Sequence, residues 1–145
     1  MGIRLLVLVA FLFGVGCRAG ANPFPQSDDH PVKAELITEH ASVQPGGATR
    51  IGVHFDLEAG WHIYAQDPGD AGLPTTIEWS GPREASFGPL TWPAPQRFRD
   101  PGDITTYGYS GATVLYSVAS VSPQAKPGTG LPLKAKVTWL ACKEL

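Results

Sequence analysis

Cysteine is almost absent from this chain, with two in 145 residues, Cys17 and Cys142, alongside a single methionine. Two such distant cysteines, one of them in an apolar N-terminal stretch, exclude a small disulfide-stapled scaffold. Long hydrophobic runs are missing too. The longest, Leu5 to Val15, spans 11 residues broken only by Gly14, against the roughly 20 that a membrane-spanning helix needs. Positive charge is scarce and unclustered: 11 Lys and Arg face 13 Asp and Glu, which argues against nucleic acid or an anionic membrane surface as a partner. No serine-nucleophile motif, Gly-rich phosphate loop or carboxylate pair appears, so hydrolase and kinase chemistry have no foothold. After the N-terminus no 3.6-residue apolar period is sustained, and 17 glycines and 14 prolines would interrupt helices repeatedly.

What is present begins with an export pattern. Arg4 supplies a positive start, Leu5 to Val15 the apolar run, and Ala19-Gly20-Ala21 an A-x-A cleavage site that would leave Asn22 first. Val15-Gly16-Cys17 offers a second reading, lipoprotein processing with Cys17 acylated. Both readings remove Cys17 as a partner for Cys142. Residues 1–21 are therefore expected to be a signal peptide and residues 22–31, with three prolines and two aspartates, a flexible leader. Residues 32–145 then form one domain beyond the membrane.

That domain reads as β. Val32, Ala34 and Leu36 alternate with polar residues, and Gln44-Pro45-Gly46-Gly47 is a turn. Ile51, Val53, Phe55 and Leu57 alternate with Gly52, His54 and Asp56, the period-2 signature of a half-buried strand. Trp61 to about Thr75 reads as a long irregular stretch, followed by a short strand to Trp79. Gly81 to Asp103 is rich in proline and glycine, with a small strand near Leu90–Trp92. Ala112 to Val121 and Leu133 to Trp139 alternate again, the latter running into Cys142. About seven short strands with turn clusters between them predict an all-β, immunoglobulin-like antiparallel sandwich, with Trp79 and Trp139 as large core side chains.

Three groups of residues are candidates for function. Trp61, His62 and Tyr64, followed by Asp67-Pro68-Gly69-Asp70-Ala71-Gly72-Leu73-Pro74, form either a loop packed on the sandwich or a functional loop. Trp92, Tyr107 and Tyr109 sit in proline- and glycine-held positions and are either packing residues or an aromatic surface for a partner. Cys142 is an inert strand-end cysteine or a reactive thiol; Lys143 favours the thiolate and Glu144 opposes it. The histidines His30, His40, His54 and His62 lack zinc-site spacing, so no metal site is assigned. His62 with Cys142 would suit a soft metal only if the fold joined them.

Taken together, Gly60-Trp61-His62 with Tyr64, the Asp67 to Thr75 run, Trp79, Leu90-Thr91-Trp92-Pro93-Ala94-Pro95, Thr106-Tyr107-Gly108-Tyr109 and Val137 to Cys142 resemble the N-terminal periplasmic domain of the thiol:disulfide interchange protein DsbD, in the form also found in copper-sensitivity suppressor B proteins. The resemblance covers about Val32 to Leu145. It implies an immunoglobulin-like sandwich with a redox cysteine pair, which passes electrons from a transmembrane domain and a thioredoxin-like domain to oxidised periplasmic thiol proteins, including those of cytochrome c maturation. No organic cofactor is implied. Cys142 matches the first cysteine of the pair. The second is expected immediately after Leu145, so the sequence is expected to be a piece of a longer inner-membrane protein that does not turn over alone. The resemblance also implies a cap segment at Ile104 to Tyr109, with Thr106, Tyr107 and Tyr109 as candidate shields of the thiol. Two other readings stand beside it: a non-catalytic β-sandwich module binding a protein partner, and a copper-binding or copper-tolerance domain.

Overall fold

The computed structural model describes residues 3–7 and 30–143. The cleavage site, Cys17, most of the leader, Glu144 and Leu145 lie outside them. Strands and turns make up the described residues, with no helix among them, as the breaker-rich composition predicts.

The first layer of the sandwich is the sheet β2-β4-β10-β7. It consists of β2 (Val32–Thr38), β4 (Ala48–Leu57), β10 (Ala112–Val121) and β7 (Ala85–Phe87), all paired antiparallel. The alternation read in the sequence sets its faces. Ile51, Val53, Phe55 and Leu57 of β4 and Leu115, Ala119 and Val121 of β10 point inward and are buried. Val114, Tyr116 and Val118 turn outward, and Gly52, across the ladder from Tyr116, floors a shallow groove between Ile37 and Val114.

Two further sheets face that layer. One has the order β3-β1-β11-β6: β3 (Ser42–Val43), β1 (Ile3–Val7), β11 (Leu131–Thr138) and β6 (Thr76–Ser80). Within it β1 runs parallel to β11 and antiparallel to β3. The other has the order β12-β5-β9-β8: β12 (Ala141–Lys143), β5 (Trp61–Gly69), β9 (Ile104–Ser110) and β8 (Gln96–Asp100). The chain crosses between these sheets at Trp139-Leu140, where β11 ends and β12 begins. One core cluster joins the layers. It contains Val32, Val53, Phe55, Leu57, Ile63, Ala65, Tyr109 and Leu115, with Trp79 and Trp139 packed against it. Trp139 meets Phe55 edge-to-face at 5.8 Å, and Trp79 donates its indole N–H to the Ser117 hydroxyl at 3.0 Å, so both tryptophans pack on the core and Trp79 has its polar end satisfied.

The structure corrects the strand assignment at three places. Trp61 to Gly69 is a strand where an irregular stretch was expected. Its residues His62 to Ala65 are buried in succession, so the polar alternation of a one-sided strand is absent and the period signal fails. Leu90–Trp92 contributes only an isolated bridge, Thr91 to Tyr116. The segment 104–109, expected as a cap loop, belongs to β9 and forms a hairpin with β8 through Pro101-Gly102-Asp103. Gly102 and Asp103 have positive φ, 90° and 59°, a conformation that glycine adopts freely and aspartate tolerates.

Candidate functional site

Cys142 lies on β12, at one edge of its sheet, directly across the ladder from His62. Register then decides which residues share its face, since side chains alternate along a strand. His62 is opposite Ser110, Tyr64 is opposite Gly108, and Phe98 is opposite Thr106. Cys142, His62, Tyr64, Thr106, Phe98 and Asp100 therefore lie on one face. Ala141, Ile63 and Tyr109 lie on the other, within or against the main core.

The thiol face has a small covered cluster of its own. His62 and Thr106 are fully buried, and Tyr64 is 4 % exposed, although all three point away from the main core. Phe98 stacks flat on the His62 ring at 4.3 Å and 12°, and Tyr64 meets His62 edge-to-face at 5.1 Å. The segment after β5 folds back as the rest of the cover. It is fastened by Asp70, whose backbone N–H donates to the Thr105 carbonyl at 2.9 Å while its carboxylate accepts from the Thr105 N–H at 2.9 Å. The Thr75 hydroxyl donates to the Tyr64 carbonyl at 2.9 Å. Gly72, at φ 100°, lies so close to the Tyr64 ring that a Cβ would run into it. Gly108 is equally constrained, because a Cβ there would overlap the Ile63 carbonyl of the neighbouring strand.

The electrostatics of this cluster centre on Tyr64. Burial pushes its phenol up to about 12, helped by a hydrogen-bonding contact with the Cys142 thiol and by the negative charge of Asp100. Tyr64 is thus a neutral O–H at any physiological pH. Asp100 is held in turn by the Thr106 hydroxyl, which donates to it at 3.2 Å. The Thr106–Asp100 hydrogen bond thus lies beside the Tyr64 phenol, on which Cys142 and Asp100 both act electrostatically. An O–H that stays protonated can donate to a thiolate as it forms or departs, which is the help a sulfur needs when exchanging bonds.

The residues singled out from the sequence divide accordingly. His62, Tyr64 and Thr106 join Cys142 on one face. Trp61 pairs with Lys143 on the other. Tyr107 and Trp92 pack against the main core, and Tyr109 is buried there with its hydroxyl donating to the Pro93 carbonyl at 2.8 Å; burial also raises its pKa. Phe98 and Asp100 were not anticipated. The one available signal was Phe98 as the sole apolar residue of Gln96-Arg97-Phe98-Arg99-Asp100, a pattern too short to stand out between proline and glycine turns. His62 and Cys142 do come together, yet among the described residues no group of three His, Cys, Asp or Glu side chains gathers to hold a metal.

Comparisons with known proteins bear on the family and the fold. A family-wide sequence profile, described as the N-terminal part of the thiol:disulfide interchange protein DsbD, matches residues 30–145. The chain belongs to this family. Among solved structures, the N-terminal periplasmic domain of ScsB from Proteus mirabilis superposes with a TM-score of 0.56 at 22% sequence identity, over 84% of this chain. At that identity the likeness speaks for the fold, and the fold is the β-sandwich expected of a DsbD N-terminal domain. The chain spans 44% of the length of that solved domain. No curated protein matches it in a sequence comparison.

Proposed function

We propose that the chain is a periplasmic thiol–disulfide exchange domain that passes reducing equivalents from a thioredoxin-like, membrane-linked relay to oxidised exported proteins, with Cys142 as the exchanging sulfur. The observation that carries this reading is the placement of Cys142: half-buried on an edge strand, across the ladder from His62 and on the face away from the main core that also carries Tyr64.

In the proposed reaction the Cys142 thiolate attacks one sulfur of a partner's disulfide. The partner's S–S bond breaks, its second sulfur leaves as a thiolate that takes up a proton, and Cys142 is joined to the partner in a mixed disulfide. A second cysteine, expected on family grounds just after Leu145, then attacks the Cys142 sulfur. The partner departs reduced and the domain is left oxidised, two electrons having moved. The relay returns those electrons by the same chemistry in reverse. Tyr64 donates to the sulfur that carries developing charge, the negative charge of Asp100, which accepts from Thr106, helps keep the phenol protonated, and Phe98 with His62 limits access to the thiol, the role the resemblance implies for Thr106, Tyr107 and Tyr109. Residues 1–21 act as the export signal that puts the domain in the oxidising compartment, and their removal takes β1 out of its place between β3 and β11.

The test is an equilibrium one. A version of the protein extended through the next cysteine is incubated in glutathione redox buffers of graded potential. It is expected to interconvert between dithiol and disulfide with a single two-electron midpoint while remaining folded. A Cys142 that stays a free thiol across the whole range would contradict the proposal and favour the non-catalytic binding module.

A further inference from the structure

Strand β1 (Ile3–Val7) occupies the place between β3 and β11, yet it belongs to the segment read as the export signal. It runs antiparallel to β3, with Ile3 across from Val43, and parallel to β11, with Leu5 across from Leu131 and Val7 across from Leu133. Positions 3, 5 and 7 of the chain thus stand opposite three buried aliphatic residues. Each wall of this place has its own fastening. The turn after β3 is tied to the end of β10: the Gly46 N–H donates to the Val121 carbonyl at 3.0 Å, and the Val121 N–H donates to the Gly47 carbonyl at 2.9 Å. Val43 packs in one cluster with Val121, Ala125 and Leu131. On the other side β11 is held by β6 from Lys134 to Thr138, and Leu133 packs with Ile51 and Ala119 of the opposite layer. Signal removal therefore leaves a preformed slot one strand wide, with β3 and β11 about 10 Å apart. Unpaired backbone groups and aliphatic side chains line both of its walls.

We infer that this slot is a strand-acceptor site. In the exported protein it takes an extended segment of a second, unlike polypeptide, with aliphatic side chains at three alternate positions and no proline between them. The inference rests on the export reading of residues 1–21 and not on the exchange chemistry. An added strand satisfies the backbone groups of both walls at once, so main-chain bonds supply affinity and the alternating aliphatic pattern supplies specificity. The strand seated in the structure, Ile-Arg-Leu-Leu-Val, has that pattern. The chain's own next residues do not: 22–29 carry two prolines, two aspartates and, prolines aside, one apolar residue, Phe24. Proline lacks the N–H that a ladder needs. A second copy has the same shortage, and its β11 laid along this one would bring Pro132 into the new ladder. Extended aliphatic segments of this kind are exposed by exported chains that have not finished folding. The slot lies at the start of β11 and Cys142 follows its end, with about 20 Å of strand between them, so the acceptor site is separate from the thiol face.

The test compares two forms of the protein. The precursor is made without export and keeps β1; the exported form is recovered after processing and its N-terminus is sequenced. The probe is a fluorescent peptide, Gly-Ile-Arg-Leu-Leu-Val-Leu with a lysine tail, and its control has serine at the positions of Ile3, Leu5 and Val7. The exported form is expected to bind the probe at least about tenfold more tightly than the precursor does, because the precursor's slot is filled. It is also expected to prefer the probe over the control by at least about tenfold, as loss of three aliphatic anchors implies. Hydrogen exchange in the exported form is expected to slow on binding within residues 42–43 and 131–133. Equal affinity for the two peptides, equal affinity of the two protein forms, or protection confined to other strands would overturn the inference. So would sedimentation equilibrium showing that the exported form self-associates and the precursor does not, since the slot would then belong to a second copy. An exported form without a far-ultraviolet β-sheet signal would show that the walls collapse when β1 leaves, and would overturn it as well. Sequencing that finds residues 3–7 retained after export would remove the export reading and this inference with it, leaving the exchange proposal to its own redox titration. A folded, processed form that ignores the probe removes only the acceptor site.

Discussion

Tyr64 is the residue on which the site turns. Its pKa is pushed to about 12, chiefly by burial, against about 10 in an unfolded chain. The folded state therefore holds the phenolic proton more tightly. That contribution to stability is complete below about pH 10 and disappears as pH rises through about 12, an amount on the order of 2–3 kcal/mol for a shift of this size. Chemical denaturation at stepped pH is expected to show the wild-type chain losing this increment between pH 10 and 12, and Tyr64→Phe losing correspondingly less over the same interval. The same variant is expected to exchange disulfides about tenfold more slowly at neutral pH, the effect of one hydrogen bond to a charged sulfur. Identical rates for the two proteins would show that the phenol only fills space. Cys142 and Tyr64 were both legible as candidates in the sequence, but not as neighbours. They are 78 positions apart in the chain, and only the antiparallel register of β12 on β5 brings them together.

At the scale of elements, β5, the β8–β9 hairpin and the segment between β5 and β6 together build the cover over the thiol face. Phe98 lies on His62, and Gly72 lies on Tyr64. Replacing Phe98 by Ala is expected to raise the rate of Cys142 alkylation by iodoacetamide in the native chain several-fold, at a stability cost of about 1–3 kcal/mol for a half-buried aromatic. An unchanged alkylation rate would mean that the ring shields His62 alone. Gly72→Ala is expected to cost more than an ordinary loop substitution, about 2 kcal/mol or above, because it combines a left-handed backbone with a Cβ directed into the Tyr64 ring. Thermal unfolding measures it, and a loss under about 0.5 kcal/mol would show that the Tyr64 ring yields easily. These elements were the ones least visible beforehand. β4 and β10 each bury one face and so alternate plainly. β5 is covered on both sides, and β8 and β9 are short strands wedged between proline and glycine turns, so no period-2 contrast survives in them.

For the whole molecule, the breaker content and the alternating segments were enough to establish an antiparallel sandwich, and the order of four motifs was enough to reach the family. What they could not supply was the division of the layer facing β2-β4-β10-β7 into two sheets. That division depends on the chain crossing at Trp139-Leu140, a two-residue event with no compositional mark. The crossing matters for function, because it carries the chain out of the β11–β6 sheet and presents Cys142 at an edge on the far side from the core. The chain covers less than half of the solved ScsB domain it resembles, and the relay is proposed as a property of a larger protein.

The most direct measurement is mass spectrometry of the trapped intermediate. The reduced, folded chain is mixed with a thioredoxin-like protein whose attacking cysteine carries an activated mixed disulfide and whose resolving cysteine has been replaced by serine. The account predicts a single covalent adduct, formed under native conditions within minutes and lost in Cys142→Ser. An adduct that appears only when the chain is unfolded by denaturant would show that the folded sandwich keeps Cys142 out of reach, and would contradict the exchange role.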